Sequence, residues 1–156
     1  MSTELRTTAK PLWFIDNLVY VHIDGAASGG AYSLTEISAA TGSMPPLHVH
    51  RRDDETFYVL DGQIRLFVGD DEVVLNAGRA ALAPRDVAHT YRIESDRARF
   101  IVVNSPAGFE QFVLTAGEAA PSDELPPADR PVDPAALAQA AAQYGIEILG
   151  PPGIPT

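Results

Sequence analysis

The sequence contains no cysteine. Disulfides and thiolate metal ligands are therefore excluded, and any bound metal must be held by nitrogen and oxygen. No run of roughly 18 or more apolar residues occurs, so no helix is expected to span a bilayer. Basic residues are scarce: 11 Lys and Arg stand against 21 Asp and Glu, a formal net charge of −10. That balance excludes the cationic surface that nucleic acids and anionic membranes require. The opening MSTELRTTAKPLW lacks the apolar core of a secretory signal, and a cytoplasmic location is expected. Histidine is scarce too, with four in 156 residues, which makes the clustering of three of them informative.

What the chain does have is a succession of short apolar runs punctuated by turn residues. They cover 18–23, 31–37, 46–50, 56–60, 63–68, 72–75, 80–84, 89–93, 99–103 and 110–115. Runs this close together leave no room for crossover helices. The fold class expected is all-β, a small antiparallel β-barrel or jelly roll. A barrel with its N-terminal strands should fill residues 1–116. One pairing is suggested by Asp61-Gly62, a dipeptide favoured in two-residue type I′ turns. It predicts a hairpin with Leu60 opposite Gln63 and Val59 opposite Ile64. Alternation then puts Glu55, Phe57, Val59, Ile64, Leu66 and Val68 on one face, apolar apart from Glu55. A carboxylate among such neighbours needs a partner, and a cation would supply one.

Residues 117–156 differ in composition. GEAAPSDELPPADRPVDP is rich in proline and acid and reads as an extended linker. A short helix is expected over about 134–144, with Asp133 as N-cap, Pro134 in the first turn, Gly145 just past the end and Leu137, Ala141 and Tyr144 as its buried stripe. The remaining IEILGPPGIPT forms an extended tail, lying over the barrel or over a partner subunit.

The chemistry-bearing residues fall in two segments. His48 and His50 are two apart, so on a strand both imidazoles point the same way. Glu55 follows after the polar turn RRDD, and His89 comes 34 residues after Glu55. Three imidazoles and one carboxylate suit a divalent transition metal such as Fe, Mn, Ni, Co, Cu or Zn. Four protein ligands leave open positions for chemistry. His22 has no partner at ligand spacing and is expected to be structural or surface.

These residues resemble the two cupin motifs. In the first, Gly42, His48, His50, Glu55 and Gly62 match at every position. In the second, Gly78, Pro84 and His89 match, while Asp86 stands in place of a glycine and Ile93 in place of an asparagine. Asp86 tolerates the left-handed backbone that glycine would adopt there. The resemblance implies a small β-barrel with the metal inside, often in a homodimer. WFIDNLVYVHIDG, AYSLTEISAATGSMPPLHVH and NSPAGFEQFV further resemble single-domain cupins related to bacterial quercetin 2,3-dioxygenases. That likeness implies an enzyme acting on a small hydroxylated aromatic or enolisable substrate with O₂. Glu55 would be both ligand and general base. Strand parity adds Phe57, Leu66, Tyr91 and Ile93 as substrate-pocket residues. The alternatives are a redox-neutral isomerase, cyclase or lyase with the same residues, and a non-catalytic small-molecule binder.

Overall fold

A computed structural model describes residues 8–152; the N-terminal residues 1–7 and the tip of the expected tail, 153–156, lie outside the described residues. The elements in chain order are β1 (Pro11–Phe14), β2 (Asn17–Ile23), α1 (Gly25–Ser28), β3 (Ser33–Ala40), β4 (Pro46–His50), β5 (Asp54–Asp61), β6 (Gln63–Val68), β7 (Asp71–Asn76), β8 (Ala80–Ala83), β9 (His89–Ile93), β10 (Arg97–Ser105), α2 (Phe109–Ala116), β11 (Glu118–Ala119), α3 (Pro134–Gln143) and β12 (Ile146–Pro152). Every strand pairing is antiparallel, and the strands form two sheets, ordered β11-β1-β2-β3-β10-β5-β8 and β12-β4-β9-β6-β7. This is a jelly roll. Each sheet turns its apolar face inward, and Phe57, Val59, Ile64, Leu66, Ile93, Phe100 and Val102 meet between them, all at most 1% exposed.

The Asp61-Gly62 turn is not the hairpin its dipeptide suggests. β5 pairs with β10 and β8 in one sheet, whereas β6 pairs with β7 and β9 in the other. Both flanks of β5 are already occupied, so the chain leaves its sheet at Gly62 and enters the opposite one. Gly62 has φ +81° and lies so close to the Arg97 carbonyl, Ser95 Oγ and the Ala98 backbone that no Cβ fits. Asp61 lacks the positive φ that a type I′ turn needs. The predicted faces survive the wrong pairing, because alternation belongs to each strand alone. Glu55, Phe57, Val59, Ile64 and Leu66 all point inward, although from two sheets.

The run at 110–115, expected as a strand, is the helix α2. Its buried residues Phe109, Phe112 and Val113 recur at helical spacing, and Leu114 is exposed. Glu110 secures the start of this helix: Oε1 accepts from Gly25 N–H at 3.0 Å and Oε2 from Gly108 N–H at 2.7 Å. α3 starts as expected, with Asp133 Oδ1 accepting from Ala135 N–H at 3.0 Å and Ala136 N–H at 3.2 Å. It buries Leu137, Ala140 and Ala141. The tail after it pairs along β4 of its own chain, with Ile146 opposite His50 and Ile148 opposite His48. α2, α3 and β12 thereby close one side of the barrel.

Candidate metal centre

The two sheets bring four side chains to one point. β4 supplies His48 and His50, its neighbour β9 supplies His89, and β5 supplies Glu55 from across the barrel. His48 and His89 are direct cross-strand partners, and their rings lie 4.4 Å apart. The His50 ring is 5.2 Å from each of the other two. One ligand atom from each of the four residues lies within 4.8 Å of every other. Ligands at about 2.1 Å from a common ion stand roughly 3 Å apart when adjacent and 4.2 Å when opposed, so a slight contraction suffices to hold one.

Local hydrogen bonds turn the ring nitrogens the right way. Each Nδ1 faces an acceptor: Pro46 O for His48 at 2.7 Å, Asp53 Oδ2 for His50 at 2.9 Å, and Val87 O for His89 at 3.2 Å. Those bonds hold Nδ1–H and leave Nε2 for the common centre. His50 Nε2 is buried and has no hydrogen-bond partner. It lies 3.6 Å from Glu55 Oε2, which is 2.7 Å from His89 Nε2. An orphaned buried nitrogen beside a buried carboxylate fits a divalent cation.

Burial, reinforced by the neighbouring His89 and His50, lowers the His48 pKa to about 3, so this imidazole is neutral and free to ligate. For Glu55 burial alone pushes the carboxyl up, but His50, His89 and His48 together hold it well below the ordinary carboxylate range. For His50 burial works against the cation, yet Glu55 and Asp53 outweigh it and its pKa is raised.

Asp53 and Asn104 complete the centre, and sequence reasoning missed both. Asn104 Nδ2 donates to Asp53 Oδ2 at 2.7 Å and to Glu55 Oε1 at 3.1 Å. This bridge holds one carboxylate oxygen of Glu55 and leaves the other for the ligand cluster. Asn104 was findable: it continues the inward series Ala98, Phe100, Val102 on β10, as a polar residue at a core parity position. Asp53 precedes its strand in a polar turn and carries no periodic signal.

The site opens into a narrow cavity of about 50 Å³, measured as the space open to the centre of a water molecule. Phe57 and Tyr91 line it with His48, His50 and Glu55, and among the described residues Glu55 is its only acid. Phe14, Phe109, Phe112, Leu137 and Ile148 add apolar walls, four of them from the helices and tail beyond the barrel. Leu66 and Ile93, expected in the same lining, are not part of it. Both are core residues, Leu66 at 0% and Ile93 at 1% exposure. Ile93 is four residues past His89, roughly 13 Å further along its strand, and so faces deeper barrel core. His22 stays outside the cluster. It lies on the outer surface, 3.2 Å from Glu36 of the adjacent strand and stacked on Tyr20. Asp86 adopts φ +65°, the left-handed backbone expected of it.

Residues 36–104 match the cupin domain family. Two curated relatives are quercetin 2,3-dioxygenases. That of Bacillus subtilis is 29% identical over 83% of this chain, and that of Aspergillus japonicus 30% identical over 66%. The chain spans only 39% and 32% of their lengths. Among solved structures, a RmlC-like cupin from Shewanella frigidimarina aligns with TM-score 0.57 and 20% identity, over 68% of this chain and 93% of that one. The polyketide cyclase RemF from Streptomyces resistomycificus aligns with TM-score 0.55 and 24% identity, over 67% and 79%. Among the described residues no helix is long and apolar enough to cross a membrane.

Proposed function

We propose, from the premise that this chain is a cupin resembling the quercetin 2,3-dioxygenases, that it is a metal-dependent dioxygenase of small enolisable aromatic compounds. The observation that carries this reading is Glu55: a single carboxylate facing three imidazoles at one end of a largely apolar, aromatic-lined cavity. His48, His50, Glu55 and His89 would hold one divalent transition ion. When bound, the ion supplies Lewis acidity to a substrate oxygen and a one-electron path toward O₂.

The chain's own residues do the rest. Phe57, Phe109 and Phe112 pack against the faces of a flat substrate and exclude water. Glu55 accepts the proton of the substrate hydroxyl at Oε2, because Asn104 already occupies Oε1. Asn104 and Asp53 keep that carboxylate and the His50 ring from swinging as charge redistributes. The deprotonated substrate, electron-rich at its enolate carbon, is the species that reacts with O₂.

The test is oxygen uptake with quercetin by protein loaded separately with Fe, Mn, Co, Ni and Cu. Uptake with at least one ion, lost in Glu55→Gln, supports the reading; no uptake with any ion removes it. The same acid–base arrangement suits a redox-neutral isomerase, cyclase or lyase, and turnover in the strict absence of O₂ would assign the chain to that class.

A further inference from the structure

The cavity has a second polar pole. Apart from the metal-centre residues, its polar side chains are Asn17 and Tyr91, which stand among Phe, Ile, Leu, Val and Pro. They belong to a short buried chain. Ser43 Oγ donates to Asn17 Oδ1 at 3.2 Å, and Asn17 Nδ2 donates to the Tyr91 hydroxyl at 3.2 Å. Ser43, Asn17 and Tyr91 are 7%, 3% and 6% exposed.

Each member is held from outside the chain. Ser43 is pinned through its backbone, its N–H bonding Ala40 O at 3.1 Å and its carbonyl accepting from Ile93 N–H at 3.0 Å. Asn17 opens β2, paired with Phe14 across the first hairpin. The Tyr91 ring is clamped edge-on by Phe57 at 5.9 Å and by Phe100 at 5.2 Å between centroids. The phenol oxygen therefore has a fixed position and already accepts one hydrogen bond. Its own hydrogen meets no acceptor among the described residues. A buried hydroxyl seeks an acceptor, and the carboxylates of Asp16 and Glu55 act on this one through space without a hydrogen bond to it.

We infer that Tyr91, oriented by Asn17 and Ser43, is a specificity-determining residue that donates a hydrogen bond to a second oxygen of the substrate, away from the oxygen at the metal centre. The inference rests on the proposed reading only in placing the substrate's first oxygen at His48, His50 and Glu55. It narrows the substrate class to flat ring systems with an enolisable hydroxyl at one end and a further oxygen elsewhere. Asn17 is a positioning residue, acting through Tyr91.

The probes are quercetin, with hydroxyls on both outer rings, and 3-hydroxyflavone, which keeps the hydroxy-ketone and lacks those hydroxyls. Both are titrated without O₂ into metal-loaded protein and followed by the flavonol absorbance shift, with metal content measured in every variant. The unmodified protein should prefer quercetin. Tyr91→Phe should lose roughly three- to tenfold affinity for quercetin, the worth of one neutral hydrogen bond, and none for 3-hydroxyflavone. Asn17→Ala should lose part of the same preference at full metal content. If that variant does not fold, the Tyr91→Phe result decides alone. An unchanged preference in Tyr91→Phe, equal losses for both probes, or failure of both to bind the unmodified protein would overturn the inference. Oxygen uptake is read separately: Tyr91-dependent binding without uptake keeps the inference and removes the dioxygenase reading.

Discussion

Asp53 offers the sharpest test of how the centre is built. Its Oδ2 accepts two hydrogen bonds at once, from His50 Nδ1 at 2.9 Å and Asn104 Nδ2 at 2.7 Å. Asp53→Ala removes both. His50 then loses the partner that keeps its proton on Nδ1, and the Nε2–H form, turned toward Glu55, competes with ligation. Asn104 loses one anchor and holds Glu55 less firmly. Loss of such a supporting partner costs roughly 10- to 100-fold in metal affinity, about 1.4–2.7 kcal/mol. Asp53→Asn separates geometry from charge, since an amide oxygen at the same place still accepts both bonds. It replaces charge-assisted bonds by neutral ones, a difference of about 1 kcal/mol or roughly fivefold. Asp54→Ala is the control: one residue on, it removes an equal charge that is spent on the exposed Arg85 and should leave affinity unchanged within about twofold. The assay is a competitive chelator titration with Zn or Co. Metal affinity of Asp53→Ala equal to that of the unmodified protein would refute the role given to this residue.

Three further outcomes are expected. Acid should weaken metal uptake: Glu55 and Asp53 raise the pKa of His50, and only neutral imidazole ligates, so affinity is full above that pKa and falls as pH drops through it. A titration series from about pH 5 to about pH 8.5 reads this, and a flat profile contradicts it. Gly62→Ala should destabilise the protein by more than about 2 kcal/mol, combining left-handed backbone strain with a Cβ forced to 2.6 Å from Ser95 Oγ and 2.8 Å from the Ala98 backbone. Urea unfolding checks it, and an unchanged midpoint would show that the corner can relax. Leu137→Ala should cost roughly 2 kcal/mol, because its side chain is 9% exposed and packs into the cavity wall from α3. A thermal melt that does not move would mean that the C-terminal segment contributes nothing to the core.

Much of the candidate site was legible because it depends on local periodicity. The HxH spacing puts His48 and His50 on one side of β4 whatever that strand pairs with. The alternation of β5 likewise turns Glu55 and Phe57 inward. The Asp133–Pro134 start of α3 is a local cap, readable from four residues. Asn104 obeys the same parity on β10, a polar residue at a core position. The run at 110–115 was misread because a short apolar segment does not distinguish a strand from a helix until its burial pattern is known.

What the sequence by itself determined, then, is which side chains share a face, since that follows from backbone geometry two residues at a time. What only the tertiary structure decided is which faces meet. The pairing implied by Asp61-Gly62 was overruled because β10 and β8 already flank β5, which sends the chain across to the other sheet. That crossing places Glu55 opposite the three histidines rather than beside them. Pairing of β10 with β5 brings Asn104 to the back of Glu55, the facing of the two sheets sets Tyr91 against Asn17, and β12 running along β4 closes the cavity. These are long-range contacts, set by which strand edges and apolar faces remain to be covered, and no local pattern encodes them.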